Sequence, residues 1–193
     1  MAVNGIEMIT DRSPSDVEIA KSLIKKSFQN MTDAEKEAFL LGLKGAYNYT
    51  DFNRVETAVL YLAQRLVDVP EEIRNLAQEL GVYWEDVFDV KYNPEDYKSV
   101  EGKNDWSIND ILTEEQRNGY LSRIVYVLQA LTVPDDFPRT LNGLTYAGAN
   151  AIERAIVNFN ASLIELQENK NTLLQGTAKT WFYSGDLYGG EII

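Results

Sequence analysis

The sequence predicts a mainly α-helical fold: a bundle of three longer helices with shorter flanking helices, and extended N- and C-terminal arms able to pair as a small sheet. Three observations predict it. Residues 49–66, YTDFNRVETAVLYLAQRL, and residues 146–163, YAGANAIERAIVNFNASL, write one pattern twice. With Tyr49 over Tyr146, Asn53 falls on Asn150, Glu56 on Glu153 and Ala58 on Ala155. Val55, Val59, Leu62 and Leu66 then meet Ile152, Ile156, Phe159 and Leu163. A looser third copy, with Asn118 under Asn53, brings Tyr120, Ile124, Val127 and Leu131 to the same four positions. Each copy steps by four, three and four residues, which draws a narrow apolar seam along a helix. No such helix buries its seam alone, whereas three of matching length bury one another at shallow crossing angles.

Each element has its own local reason. Ser13, Pro14 and Asp16 start a helix over 14–29, with proline at the first helical position. Thr32 and Glu35 form a capping box for a helix over 32–43, and Thr113 with Gln116 another for 113–131. Thr50 caps the first long helix, 50–67, with Asn53 where Glu or Gln would stand. Asp68 and Pro70 open a separate short helix over 70–80 that closes on Gly81. The third long helix covers 147–168, after a turn-rich connection at 132–143. The ends, about 3–10 and 179–192, read as extended; Ser184-Gly185-Asp186 suggests a hairpin in the second. The organisation is a single helical domain, 1–193, with an N-terminal arm at 1–13 and N-terminal helices at 14–81. An irregular insert at 82–112, a helical pair at 113–170 and a C-terminal arm at 171–193 complete it.

Composition removes several function classes. The 193 residues contain no cysteine, which excludes disulfides, thiolate zinc sites and cysteine nucleophiles. They contain no histidine, which removes the commonest general base and metal ligand. A net charge of −12 disfavours phosphate binding, and Lys21, Lys25 and Lys26 at helical spacing read as a solvated face. The N-terminus lacks the basic and apolar regions of a signal peptide, and no apolar run approaches the length of a bilayer span, so the expectation is a soluble chain made in the cytoplasm.

Candidate sites are few. Asp105, Asn109 and Asp110 with Glu101 nearby resemble a calcium loop, but counting from Asp105 puts Asp110 where an EF-hand needs glycine, so they read as a solvated acidic loop. Asp135/Asp136 and Glu71/Glu72 answer helix dipoles and turns before they suggest acid–base chemistry. The expectation is no catalytic residue, no metal and no cofactor. The aromatic tail offers the strongest interface: Trp181, Phe182, Tyr183, Asp186 and Tyr188, rich in contact area at low entropy cost. Its competing role is packing on the chain's own core.

The stretch TDRSPSDVEIAKSLIKKSFQNMTDAEKEAFLLGLKGAYNYTDFNRVETAVLYL resembles a structural module of tail, baseplate and tail-fibre-region proteins from bacteriophages and prophages of Gram-positive, clostridia-like hosts. LTYAGANAIERAI and WFYSGDLYGGE resemble its later parts, and TDFNRVE resembles helix starts near the N-termini of phage fibre and baseplate proteins. The resemblance implies a non-enzymatic virion component, present in multiple copies or as a homo-oligomer. It would be an adaptor joining the tail to fibres or to neighbouring subunits, with other tail, baseplate or fibre proteins as partners and neither nucleic acid nor membrane. The alternative is an acidic phage-encoded inhibitor that binds a host nucleic-acid-binding protein by mimicking DNA charge.

Overall fold

The structure is a computed structural model and describes residues 1–79, 93–131 and 133–169. It is mainly helical, as the sequence predicts. The chain opens with a small antiparallel hairpin, β1 (Ala2–Val3) and β2 (Ile6–Glu7), in which Val3 faces Ile6. Asn4 and Gly5 turn it at φ 49° and 75°, the doubly positive pair of a tight hairpin turn that Asn-Gly accommodates. The N-terminal arm therefore pairs with itself, and Val3 and Met8 are buried in the main core.

Helix α1 (Pro14–Lys25) starts at a reciprocal box in which Ser13 Oγ accepts from the Asp16 amide and Asp16 accepts from the Ser13 amide. It ends four residues short of the expected 29, because Ser27 begins a one-turn 3₁₀ helix at Phe28–Asn30. Helix α2 (Asp33–Leu41) starts at the Thr32/Glu35 box and stops at Gly42, whose φ of 94° only glycine takes without strain.

Helix α3 (Tyr49–Glu79) corrects two expectations. Its cap is Asn48 rather than Thr50: Asn48 Oδ1 accepts from the Thr50 amide at 2.9 Å, and Asp51 accepts from the Asn48 amide at 2.9 Å. The helix also continues through Pro70, where the sequence predicts the start of a separate one. Proline inside a helix costs about 3 kcal/mol. Here the seam continues past Leu62 and Leu66 to Val69 and Ile73, both fully buried, and that burial offsets the cost.

Helix α4 (Glu114–Leu128) uses the Thr113/Gln116 box, and α5 (Tyr146–Glu168) is capped by Thr145. The expected 113–131 helix thus ends at Leu128, and Leu131 is half-buried against the core from the turn beyond it. Within the span expected to be irregular, 93–112 carries one 3₁₀ turn at Pro94–Tyr97, while 80–92 lies outside the described residues.

The three long helices run in the same direction. Phe52 and Glu56 of α3 meet Tyr120 and Arg123 of α4 in ascending order. Arg54 and Arg65 of α3 meet Glu153 and Gln167 of α5 likewise. The copies matched in sequence therefore lie side by side at nearly the same level. Val55, Val59, Leu62, Leu66, Ile124, Val127, Ile152, Ile156, Phe159 and Leu163 share one buried cluster. Parallel neighbours require the chain to travel back between helices, and the described stretches 93–112 and 133–145 belong to these returns. Among the described residues no helix is long and apolar enough to cross a membrane.

Candidate functional site

The polar residues repeated in α3 and α5 do the same job twice. Asn53 Oδ1 accepts from the Trp106 amide at 2.7 Å, and Asn53 Nδ2 donates to the Trp106 carbonyl at 2.8 Å. Asn150 makes both bonds to Arg12, each at 2.9 Å. A carboxamide holding both backbone groups of one residue imitates the neighbour that a β-strand would have. One helical turn further on, a buried glutamate completes each clasp. Glu153 accepts from the Ile9 amide at 2.6 Å and from the Arg12 side chain at 2.6 Å. Glu56 accepts from Arg123 Nε and lies against Gly102, where any Cβ would overlap its carboxylate. Both clasped segments run opposite to their helix, passing the glutamate first and the asparagine second. In α4 the equivalent Asn118 is exposed and Leu121 stands in place of the glutamate, so the third copy keeps the seam without the clasp.

Around the second clasp four charges close on one another below the surface. Arg12 reaches Asp51 and Glu153, each at 2.6 Å, and Arg54 bonds the same two carboxylates. The charges balance two against two, the condition under which a buried set is tolerated. Burial pushes the Asp51 carboxyl above its ordinary range, against the pull of Arg12 and Arg54. Burial likewise raises Glu56 despite Arg123. Arg12 also lies over the Tyr47 ring, 5.6 Å from its centroid, and Tyr47 shares a 2.5 Å hydrogen bond with Tyr120. Burial drives both phenols well above their usual range, so they remain neutral.

The arrangement fastens segments to helices. Its carboxylates are shielded from solvent and matched to arginines, and its tyrosines are locked as phenols. Asp105, from the acidic loop, pairs with Lys103 at 2.8 Å, and Asp110 accepts from the Ser107 amide. Asp136 of the 135/136 pair binds Arg154 on the surface. Among the described residues no group of three or more acidic, histidine or cysteine side chains is placed to hold a metal. Trp181, Phe182, Tyr183, Asp186 and Tyr188 lie outside the described residues.

The sequence shows Asn53, Glu56, Asn150 and Glu153 as matched positions, but it does not show what they hold, nor the parts of Arg12, Asp51, Arg54 and Tyr47. One signal was available. A glutamate flanked by seam residues on an apolar helix face needs a cation, and Arg12 and Arg123 are among the few arginines. Comparison with protein-family models, with curated proteins and with solved structures finds no match.

Proposed function

We propose that the chain is a non-enzymatic structural protein of a phage virion. In this reading it is a tail or baseplate component that joins the tail to fibres or to neighbouring subunits. One observation supports it above others: each of the three buried carboxylates among the described residues, Asp51, Glu56 and Glu153, is matched to arginine from another part of the chain. Polar chemistry in the core thus goes into holding segments in place, as a subunit that carries mechanical load requires. The three carboxylates belong to TDFNRVE and YAGANAIERAI, stretches that carry the phage resemblance. The aromatic tail from Trp181 to Tyr188 is the docking element of this reading, and its partners are other tail, baseplate or fibre proteins.

Mass spectrometry and electron cryomicroscopy of purified particles test it. The expected result is the chain at fixed stoichiometry in the tail region, lost when residues 180–193 are deleted. Absence from purified particles overturns the reading. The net charge of −12 favours one competitor, an inhibitor that mimics DNA. A stoichiometric host DNA-binding protein that co-purifies and dissociates steeply with salt would decide for it.

A further inference from the structure

Asparagine followed by glycine occurs three times in the sequence, at 4–5, 118–119 and 142–143, and the fold holds the three pairs differently. The pairing matters chemically because the amide nitrogen after an asparagine can attack that asparagine's own side-chain carbonyl carbon. Glycine, without a Cβ, obstructs the approach least. Asn4 sits at φ 49° in the tight turn of the N-terminal hairpin, where Val3 pairs with Ile6, Ala2 pairs with Glu7, and Val3 is fully buried. Rotating its peptide unit means opening that ladder. Asn118 lies inside α4, where the Gly119 amide is committed to the helix. Asn142 and Gly143 are exposed at the corners of a turn closed by one hydrogen bond, from the Leu144 amide to the Leu141 carbonyl at 3.2 Å. Gly143 takes φ 69° and Asn142 a negative φ, the geometry of a type II turn, so the peptide unit between them stays outside the closing bond. The Gly143 amide and the Asn142 side chain have no hydrogen-bond partner among the described residues. Nothing stands within 4 Å of where a Gly143 Cβ would lie.

We propose that Asn142 is a site of spontaneous covalent modification, deamidation through a cyclic imide with water as the co-reactant. Turning of the free peptide unit brings the Gly143 nitrogen to the Asn142 Cγ. That nitrogen gives up its proton to solvent as the N–Cγ bond forms. The Cγ–Nδ2 bond breaks, and the side-chain nitrogen takes up a proton and leaves as ammonia. Water then opens the imide at either carbonyl, giving aspartate or isoaspartate, with no change of oxidation state. Either product adds one negative charge to a chain of net charge −12. The new charge falls in the connection leading into α5, whose first turn holds no acidic residue to repel it. Isoaspartate also routes the main chain through the side-chain carbon, which lengthens that connection by one atom.

The test is made on the purified full chain and does not depend on the virion reading. The folded protein is incubated at mildly alkaline pH and digested with trypsin in mild acid. Mass spectrometry then follows the gain that marks an amide turned acid. Cleavage after arginine puts the three pairs in separate peptides, 1–12, 118–123 and 140–154. Fragmentation of 140–154 separates Asn142 from Asn150, whose side chain is buried and bonded to Arg12. Asn142 is expected to convert about tenfold faster than Asn4 or Asn118, the factor imposed on those two by first opening one or two backbone hydrogen bonds. In concentrated urea the three rates are expected to converge. Asn142→Gln is expected to abolish the gain in 140–154 and to leave the protein folded. Conversion at Asn142 no faster than at Asn4 or Asn118, a gain in 140–154 that persists in Asn142→Gln, or the same lead retained in urea would each overturn the proposal.

Discussion

Trp106 is held to Asn53 through both of its backbone polar groups, at 2.7 and 2.8 Å, while its ring packs 6.3 Å from that of Phe52. One side chain thereby fixes the return segment onto α3. Asn53→Ala leaves a buried amide and carbonyl without partners and should cost about 1–3 kcal/mol. Hydrogen exchange reads it directly, because the Trp106 amide should lose protection before the bundle does. Unchanged protection at Trp106 would mean that ring packing alone holds the segment.

The two clasp glutamates should respond differently to removal of their charge. Glu153→Gln leaves Arg12 and Arg54 facing Asp51 alone in a buried site, and breaking such a set typically costs about 3–5 kcal/mol. Arg123, by contrast, is partly exposed and can turn to water when Glu56→Gln is made. Urea midpoints should therefore fall sharply for Glu153→Gln and stay near wild type for Glu56→Gln. Equal losses would show that net charge in the second clasp is not what matters.

Stability should carry an unusual pH signature. Burial raises the carboxyls of Asp51 and Glu56 in the folded state, so the folded protein binds those protons more tightly than the unfolded chain. Their contribution to stability is then fully present below the unfolded value of about 4 and falls as pH rises through the raised one. Asp16 and Glu35, held low chiefly by hydrogen bonds from Ser13 and Lys26, act in the opposite sense but from the surface. Measured from pH 4 to pH 7, the stability of Glu56→Gln relative to wild type should move in favour of the variant. A shift the other way would mean that the Arg123 pair outweighs burial.

Ile156→Asp or Val59→Asp places a carboxylate without a partner at a site no more than 1% exposed. The cost should reach several kcal/mol and yield insoluble or molten protein. Near-ultraviolet circular dichroism and thermal melting check it, and a wild-type melt in both variants would contradict the three-seam core.

The fold was legible wherever one local rule governed. The capping residues Ser13, Thr32 and Thr113 act as their sequence context indicates, because a cap is decided within four residues. Pro70 misled for the same reason. The rule that proline opens a helix is local, whereas the seam stepping from Leu66 to Val69 and Ile73 gains its energy from other elements. Asn48 and Thr50 are both residues that can cap, and the reach of Asp51 back to the Asn48 amide decides for Asn48. The clasps were half visible. Repetition marked Asn53, Glu56, Asn150 and Glu153, but no short-range pattern could name Arg12 or Trp106 as what they hold.

Parallel helices also bear on how quickly the chain finds its structure. Helical bundles usually fold fast because neighbouring helices are neighbours in sequence. Here the contacts that join the helices close loops of 67 residues for Glu56 with Arg123, 99 for Arg54 with Glu153 and 138 for Arg12 with Asn150. Individual helices form in about a microsecond, but each must wait for its return segment before a seam is covered. Closures of this length raise the contact order above that of a bundle of sequence neighbours, and refolding should be correspondingly slower than microseconds. The N-terminal arm docks on α5, the last of the described helices, so a nascent chain must leave it open until residues 150 and 153 have been made.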